Sequence, residues 1–218
     1  MTTEEKINLL STYNDIDILS NEQFLILQKF SNDKDETVRS MSAPFLVHFI
    51  NEDSKKVLFK LAKDGDSLVR TEAYDSLSVF PFKDVEKFLR NAIGNEKDEL
   101  ARRYSILSWI DVVIALSLVN VDNMIFLKNI KNKEQSDECV LSCYYGLYLF
   151  GELKYFKNIL SFLNNDDYHL KCSVLNYLRE LKNNKNKLEI EKAISPLLSD
   201  SSIAVKDSAQ RLLTELSR

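Results

Sequence analysis

A twelve-residue pattern, clearest at Asp66-Ser67-Leu68-Val69-Arg70-Thr71-Glu72-Ala73-Tyr74-Asp75-Ser76-Leu77, returns in degenerate form five more times along the chain. Its elements are a polar opening residue, an apolar residue three positions on, a basic residue next, and small or apolar residues at four-residue steps. That spacing fits the 3.6-residue period of a helix face. The copies open at Asp35, Asp66, Asp98, Asp137, Asp167 and Ser202, so successive openings lie 31, 32, 39, 30 and 35 residues apart. Each interval holds two short helices and two turns. A chain built this way must stack its repeats, because a single helix pair cannot bury its own apolar face.

The pattern Asp-x-x-Val-Arg-x-x-Ala-x-x-x-Leu resembles the HEAT repeat, and its short spacing is most similar to the phycobilin-lyase-type HEAT-like subgroup. The resemblance covers residues 22–217 and implies an all-α α-solenoid of about six helix pairs. The fourth copy departs from it, with Leu141 where the basic residue belongs. In the family, the acidic turn residue and the basic residue of successive repeats form a ladder. By resemblance, Asp35, Asp66 and Asp98 with Arg39, Arg70 and Arg102 are stacking residues rather than catalytic ones.

Length and punctuation agree with one elongated domain over residues 1–218. Only four Gly and three Pro occur, and period-two alternation is not sustained anywhere. With 29 basic and 33 acidic residues the net charge is −4, which gives no global attraction for nucleic acid or anionic lipid. The start lacks the cationic end and apolar stretch of a signal peptide, and three cysteines do not make a secreted disulfide framework. The cytoplasm is therefore the expected location. The apolar run from Ile106 to Val119 is interrupted by Ser108, Asp111 and Ser117 and is too short to span a bilayer, so it reads as a buried central helix.

Thr2 and Glu5 stand at capping-box spacing, as do Ser20 and Gln23. Residues 1–21 are expected to cap the first repeat and the helix from Ser202 to close the other end. First helices are expected at 22–30, 54–63, 83–93, 123–131, 154–163 and 187–198. Pro44 falls inside a second helix, where it costs a hydrogen bond and shortens or kinks that helix.

Cys139 and Cys143, with His169 and Cys172, lie on second helices of adjacent repeats, and three thiolates with one imidazole are a known zinc set. The alternative, favoured here, is that the cysteines are small apolar fillers at the seam between repeats. No metal and no cofactor is expected. There is no Gly-x-Ser-x-Gly, Gly-rich phosphate loop or His-Glu-x-x-His, and His48 and His169 are the only histidines. Two enzyme families share the resemblance. The alkylpurine DNA glycosylases bind DNA in a basic, aromatic groove, faintly echoed by Trp109 and Asp111. The phycobilin lyases share a local pattern that many non-lyases also carry.

The outward row of the second helices carries the functional expectation. It places Tyr74, Asp75, Arg103, Asp111, Tyr145, Asn176 and Arg179 on a concave face, a mixture suited to a protein interface rather than a phosphate track. Tyr145 is the tyrosine expected to be accessible, while Lys55 and Lys83 belong to the opposite, first-helix side. The reading is a non-catalytic, stoichiometric binder of another protein, monomeric when free, without nucleic-acid or membrane partners. Small, acidic, Lys- and Asn-rich HEAT-like chains are similar to bacterial immunity proteins that neutralise a cognate toxin, for instance a cationic nuclease. An adaptor or assembly scaffold is equally compatible. A HEAT-like DNA glycosylase is the enzymatic alternative.

Overall fold

Thirteen α-helices and no strand occur among residues 1–217, the part described by the computed structural model. The chain divides into two compact units, residues 1–119 and residues 120–218. The N-terminal unit contains α1 (Thr3–Thr12) and three helix pairs: α2 (Asn21–Phe30) with α3 (Glu36–Ser42), α4 (Glu52–Leu61) with α5 (Ser67–Leu77), and α6 (Lys83–Asn95) with α7 (Glu99–Ala115). The C-terminal unit contains the other three: α8 (Val121–Lys133) with α9 (Asp137–Leu149), α10 (Phe156–Ser161) with α11 (Tyr168–Leu181), and α12 (Lys187–Ile194) with α13 (Ile203–Leu216). The six expected pairs are all present.

The opening residue of each repeat is a helix cap. Asp66 Oδ1 accepts from the amides of Leu68 and Val69 at 2.9 and 3.0 Å, and Asp98 does the same for Ala101 at 3.0 Å. These bonds satisfy first-turn donors that otherwise have no partner in the helix. In the fourth repeat the cap is Ser136, not Asp137, with Ser136 Oγ accepting from Cys139. The expected register there is therefore corrected by one residue. Cys139, Cys143 and Leu147 then occupy the Val, Ala and Leu positions of the pattern, and all three are fully buried.

The ladder also differs from expectation. Its acids are not the caps Asp35, Asp66 and Asp98 but the residues two positions before each cap, because a cap carboxylate is already committed to its own helix amides. Arg39 Nε and Nη2 grip Asp64 at 2.8 Å each, and Arg70 grips Glu96 in the same two-pronged way. Each of those acids also accepts from the amide of the following cap, at 3.0 Å for Asp66 and for Asp98. Meanwhile Arg39 and Arg70 donate through Nη1 to carbonyls of their own turns, including Asp33 O at 2.8 Å and Asp64 O at 3.0 Å. One guanidinium thus fastens its own turn to the next one, using the planar fork that suits paired acceptors.

For Asp64 and Glu96, burial acts to raise the carboxyl pKa, but the arginine hydrogen bonds and the cap amide outweigh it and leave both below the ordinary range. The same rung recurs as Lys171–Asp200 at 2.6 Å. In the fourth repeat the basic position is Val140, and the residue that would pair with it is Asn165, which instead donates to Asp137 at 3.3 Å. That rung is neutral on both sides.

The helix before the first pair, α1, carries the same features as the second helices. Thr2 caps α1 in a capping box with Glu5, and Lys6, four residues after Thr2, pairs with Asp33 at 2.5 Å. The cap-to-base spacing is the same as from Asp66 to Arg70, so α1 has the cap and rung of a second helix. Pro44 has the anticipated effect: α3 ends at Ser42 and a 3-10 segment runs from Pro44 to His48.

Between helices the core is formed by the pattern residues themselves, with Val69, Ala73, Leu77, Ala101 and Trp109 at zero exposure. Full burial of a Val or Leu side chain is worth about 1.5–3 kcal/mol, which is why these positions define the repeat.

Candidate functional site

The second helices leave one stripe outside the core, at spacings of four, three, four and three residues. On α5 it consists of Leu68, Glu72 and Asp75, continuing to Val79, and on α7 of Leu100, Tyr104, Leu107, Asp111 and Ile114. Large apolar side chains stand open on this stripe: Leu68 is 51% exposed, Leu100 46% and Ile114 41%. Between them lie carboxylates that no lysine or arginine neutralises among the described residues. Desolvation raises Asp75, and desolvation followed by the Asp75 charge raises Glu72. The same two causes, in the same order, push Asp111 up to about 6. All three titrate high because protein atoms replace part of their water while no cation compensates. The N-terminal unit as a whole carries twenty acidic against fifteen basic residues, whereas the C-terminal unit is nearly balanced at thirteen against fourteen.

The expected site residues therefore fall into groups. Asp75 and Asp111 come together on the α5–α7 stripe. Arg103 is half-buried on α7, its guanidinium 5.9 Å from the ring of Tyr104. Tyr74 is a correction: it is 3% exposed, and its hydroxyl reaches Ala62 O and the Glu96 carboxylate at 3.2 Å each. One residue before Asp75 on a helix means a turn of about 100°, which aims Tyr74 at its own first helix instead of outward.

In the C-terminal unit, Tyr145 is half-buried and stacks on Tyr177 at 4.3 Å, and the Tyr177 hydroxyl bonds Ser142 at 2.9 Å. Asn176 accepts from Arg179 at 3.2 Å, and Arg179 and Lys182 both hold Glu215. Arg179 is thus engaged within its own unit. A basic hollow of about 800 Å³ lies elsewhere on this unit, bordered by Tyr148, Leu153, Phe156, Lys154, Lys157 and Lys185.

The remaining candidates are structural. Trp109 is fully buried and donates from Nε1 to Glu86 at 2.8 Å, so it cannot stack on a nucleic-acid base. Cys139 and Cys143 lie in the core, and burial followed by the Cys139 charge raises the Cys143 thiol, opposite to what a thiolate ligand needs. His169 is exposed and packs on Tyr168, and among the described residues no group of three or more His, Cys, Asp or Glu is placed to hold a metal. Lys55, expected to be open on its first helix, is 5% exposed between Glu52 and Asp84 at 2.7 and 2.6 Å. Its aliphatic stem packs inward while the ammonium meets both acids. No described helix is long and apolar enough to cross a membrane.

These features define an all-α repeat scaffold with an open, partly apolar face and no assembled catalytic group among the described residues. Residues 25–108 match the family model described as HEAT repeats. Two solved structures are similar in fold. One is the complex of CpcE and CpcF of phycocyanin lyase from Nostoc sp. PCC7120, with 16% identity over 88% of this chain and 80% of that chain, and a TM-score of 0.59. The other is YibA from Escherichia coli, with 14% identity over 98% of this chain and 76% of that chain, and a TM-score of 0.59. At such identities the likeness is one of fold alone. Among curated proteins none matches the sequence.

Proposed function

We propose that the chain is a non-catalytic, stoichiometric binder of a cationic protein, acting in the cytoplasm as an inhibitor of the immunity-protein kind. The observation that carries this reading is the α5–α7 stripe, where Glu72, Asp75 and Asp111 remain uncompensated between exposed Leu68, Leu100 and Ile114. A folded protein that keeps like charges together at a desolvation cost gains when a basic surface covers them, and the flanking leucines add apolar contact. The burial of Trp109 and the acidic charge of this unit weigh against the DNA-glycosylase reading.

The test is co-purification with the product of the adjacent gene. A complex is expected, and Asp75→Lys with Asp111→Lys should weaken it at least tenfold without lowering the melting temperature. Lys83→Glu, on the exposed part of α6, should leave it intact. Absence of any complex, or equal binding by all variants, overturns the reading. A shift of duplex DNA at physiological salt would favour the enzyme alternative.

A further inference from the structure

Next to the acidic stripe, the 3-10 turn Tyr13–Asp15, the 3-10 segment Pro44–His48 and the first half of α5 enclose a hollow of about 530 Å³. That lies within the roughly 300–1,000 Å³ typical of ligand sites. Its apolar walls are Ile16, Met41 and Phe45, all half-buried, and its charged or titratable border is Glu72, Asp17 and His48. Among the described residues, one lining carboxylate is unpaired, and one lining hydroxyl is buried without a partner. Glu72 pairs with no cation among the described residues, although desolvation and the Asp75 charge both disfavour its ionised form. Tyr13 is only 2% exposed, lies edge-on to Phe45 at 5.6 Å, and its hydroxyl has no hydrogen-bond partner among the described residues.

We propose that this hollow is an anchor site for one arginine side chain of the cationic partner, with Glu72 as its carboxylate and the Phe45 ring beside the guanidinium plane. The inference rests on the reading that a basic protein docks on this unit. Arginine fits the lining better than lysine because its planar head presents five donors and packs on aromatic rings, whereas an ammonium is a compact, strongly hydrated charge. The site also joins the stripe: the Asp75 charge is felt at Glu72, so an arginine seated here begins the row that ends at Asp111.

The test uses the full chain labelled at its three methionine methyls, of which only Met41 borders the hollow, so Met1 and Met124 serve as internal controls. Nα-acetyl-arginine amide is titrated at pH 8 and compared with its neutral isostere Nα-acetyl-citrulline amide. The expected result is a saturable shift of Met41 alone, with a Kd of about 1 mM, as suits one anchoring side chain. Citrulline should bind at least tenfold more weakly. Glu72→Gln should lower arginine affinity at least tenfold, and Asp111→Asn should not. No movement of Met41, an equal response to citrulline, or an unchanged Kd in Glu72→Gln would overturn the site. If that happens while Asp75→Lys with Asp111→Lys still breaks a partner complex, the proposed function stands and only the anchor falls. Arginine binding without any partner complex gives the reverse.

Discussion

Asp75 faces Asp111 across the α5–α7 stripe with no cation between them among the described residues, and desolvation, with the Asp75 charge added to it, holds the Asp111 carboxyl at about 6 against an ordinary 3.8. A carboxyl raised on folding keeps a proton that the unfolded chain has already released. Its contribution to stability therefore falls as pH rises from about 4 to about 6, and above that window it is a penalty. Asp111→Asn should flatten the stability profile across this window. It should also stabilise the chain at pH 7.5 by about 1 kcal/mol or less, since the side chain is open to solvent and its interactions are screened. Urea unfolding at pH 4.5 and 7.5 checks both; a variant less stable at pH 7.5 would contradict the argument.

The rung acids behave in the opposite sense. Glu96 is held low, so its contribution is present above the ordinary glutamate range and disappears as pH falls through its folded value. Glu96→Gln removes the two-pronged acceptor of Arg70 and a partner of the Tyr74 hydroxyl. It should cost about 2–3 kcal/mol near neutrality, less than a fully buried pair because Arg70 keeps some solvent. The variant should approach wild type as the pH is lowered. Thermal melts in a series descending from pH 7 into the acid range follow the loss; a difference from wild type that does not shrink with falling pH would contradict the argument.

The neutral fourth rung offers a gain. Val140→Lys with Asn165→Asp would recreate the pair found elsewhere as Lys171–Asp200. Each single change should be neutral or destabilising, and the double-mutant cycle should show favourable coupling of at least about 0.5 kcal/mol. Additivity within error would mean the two positions do not meet.

Thiol chemistry separates core from surface. Burial raises the Cys143 thiol, and Cys139 is sealed beside it, whereas Cys172 is half-exposed. Iodoacetamide should modify Cys172 first in the native state and reach the other two only after global unfolding. Mass spectrometry of the alkylated peptides distinguishes the sites.

The repeats were legible because their period is enforced by burial: Val69, Ala73 and Leu77 must return wherever a second helix returns. The register of the fourth copy was not, since Ser136 and Asp137 are both good caps and periodicity alone does not choose between them. Reading Cys139 and Cys143 as stand-ins for Val and Ala would have chosen Ser136. The rung acids left a signal that a pattern begun at the cap overlooks, namely an acid or amide two residues earlier every time: Asp33, Asp64, Glu96, Glu134, Asn165 and Asp200. Tyr74 was misplaced because one helical position decides between outward and inward. The hollow beside Glu72 was invisible because residues 13, 45 and 72 meet only through stacking.

The neutral rung at Val140 and Asn165 also serves as an address. A repeat array has many near-equivalent ways to dock, because any second helix offers roughly the same apolar face to any following turn. Charged rungs alone do not tell one docking from another, since Arg39 and Arg70 accept the same acids. A turn headed by Asn165 leaves a displaced arginine without its carboxylate, and a turn headed by an acid leaves that acid facing Val140. A misordered docking that involves this rung thus strands a charge, whereas an exchange among the charged rungs does not, so the one place where the ladder carries no charge disfavours a shifted register there.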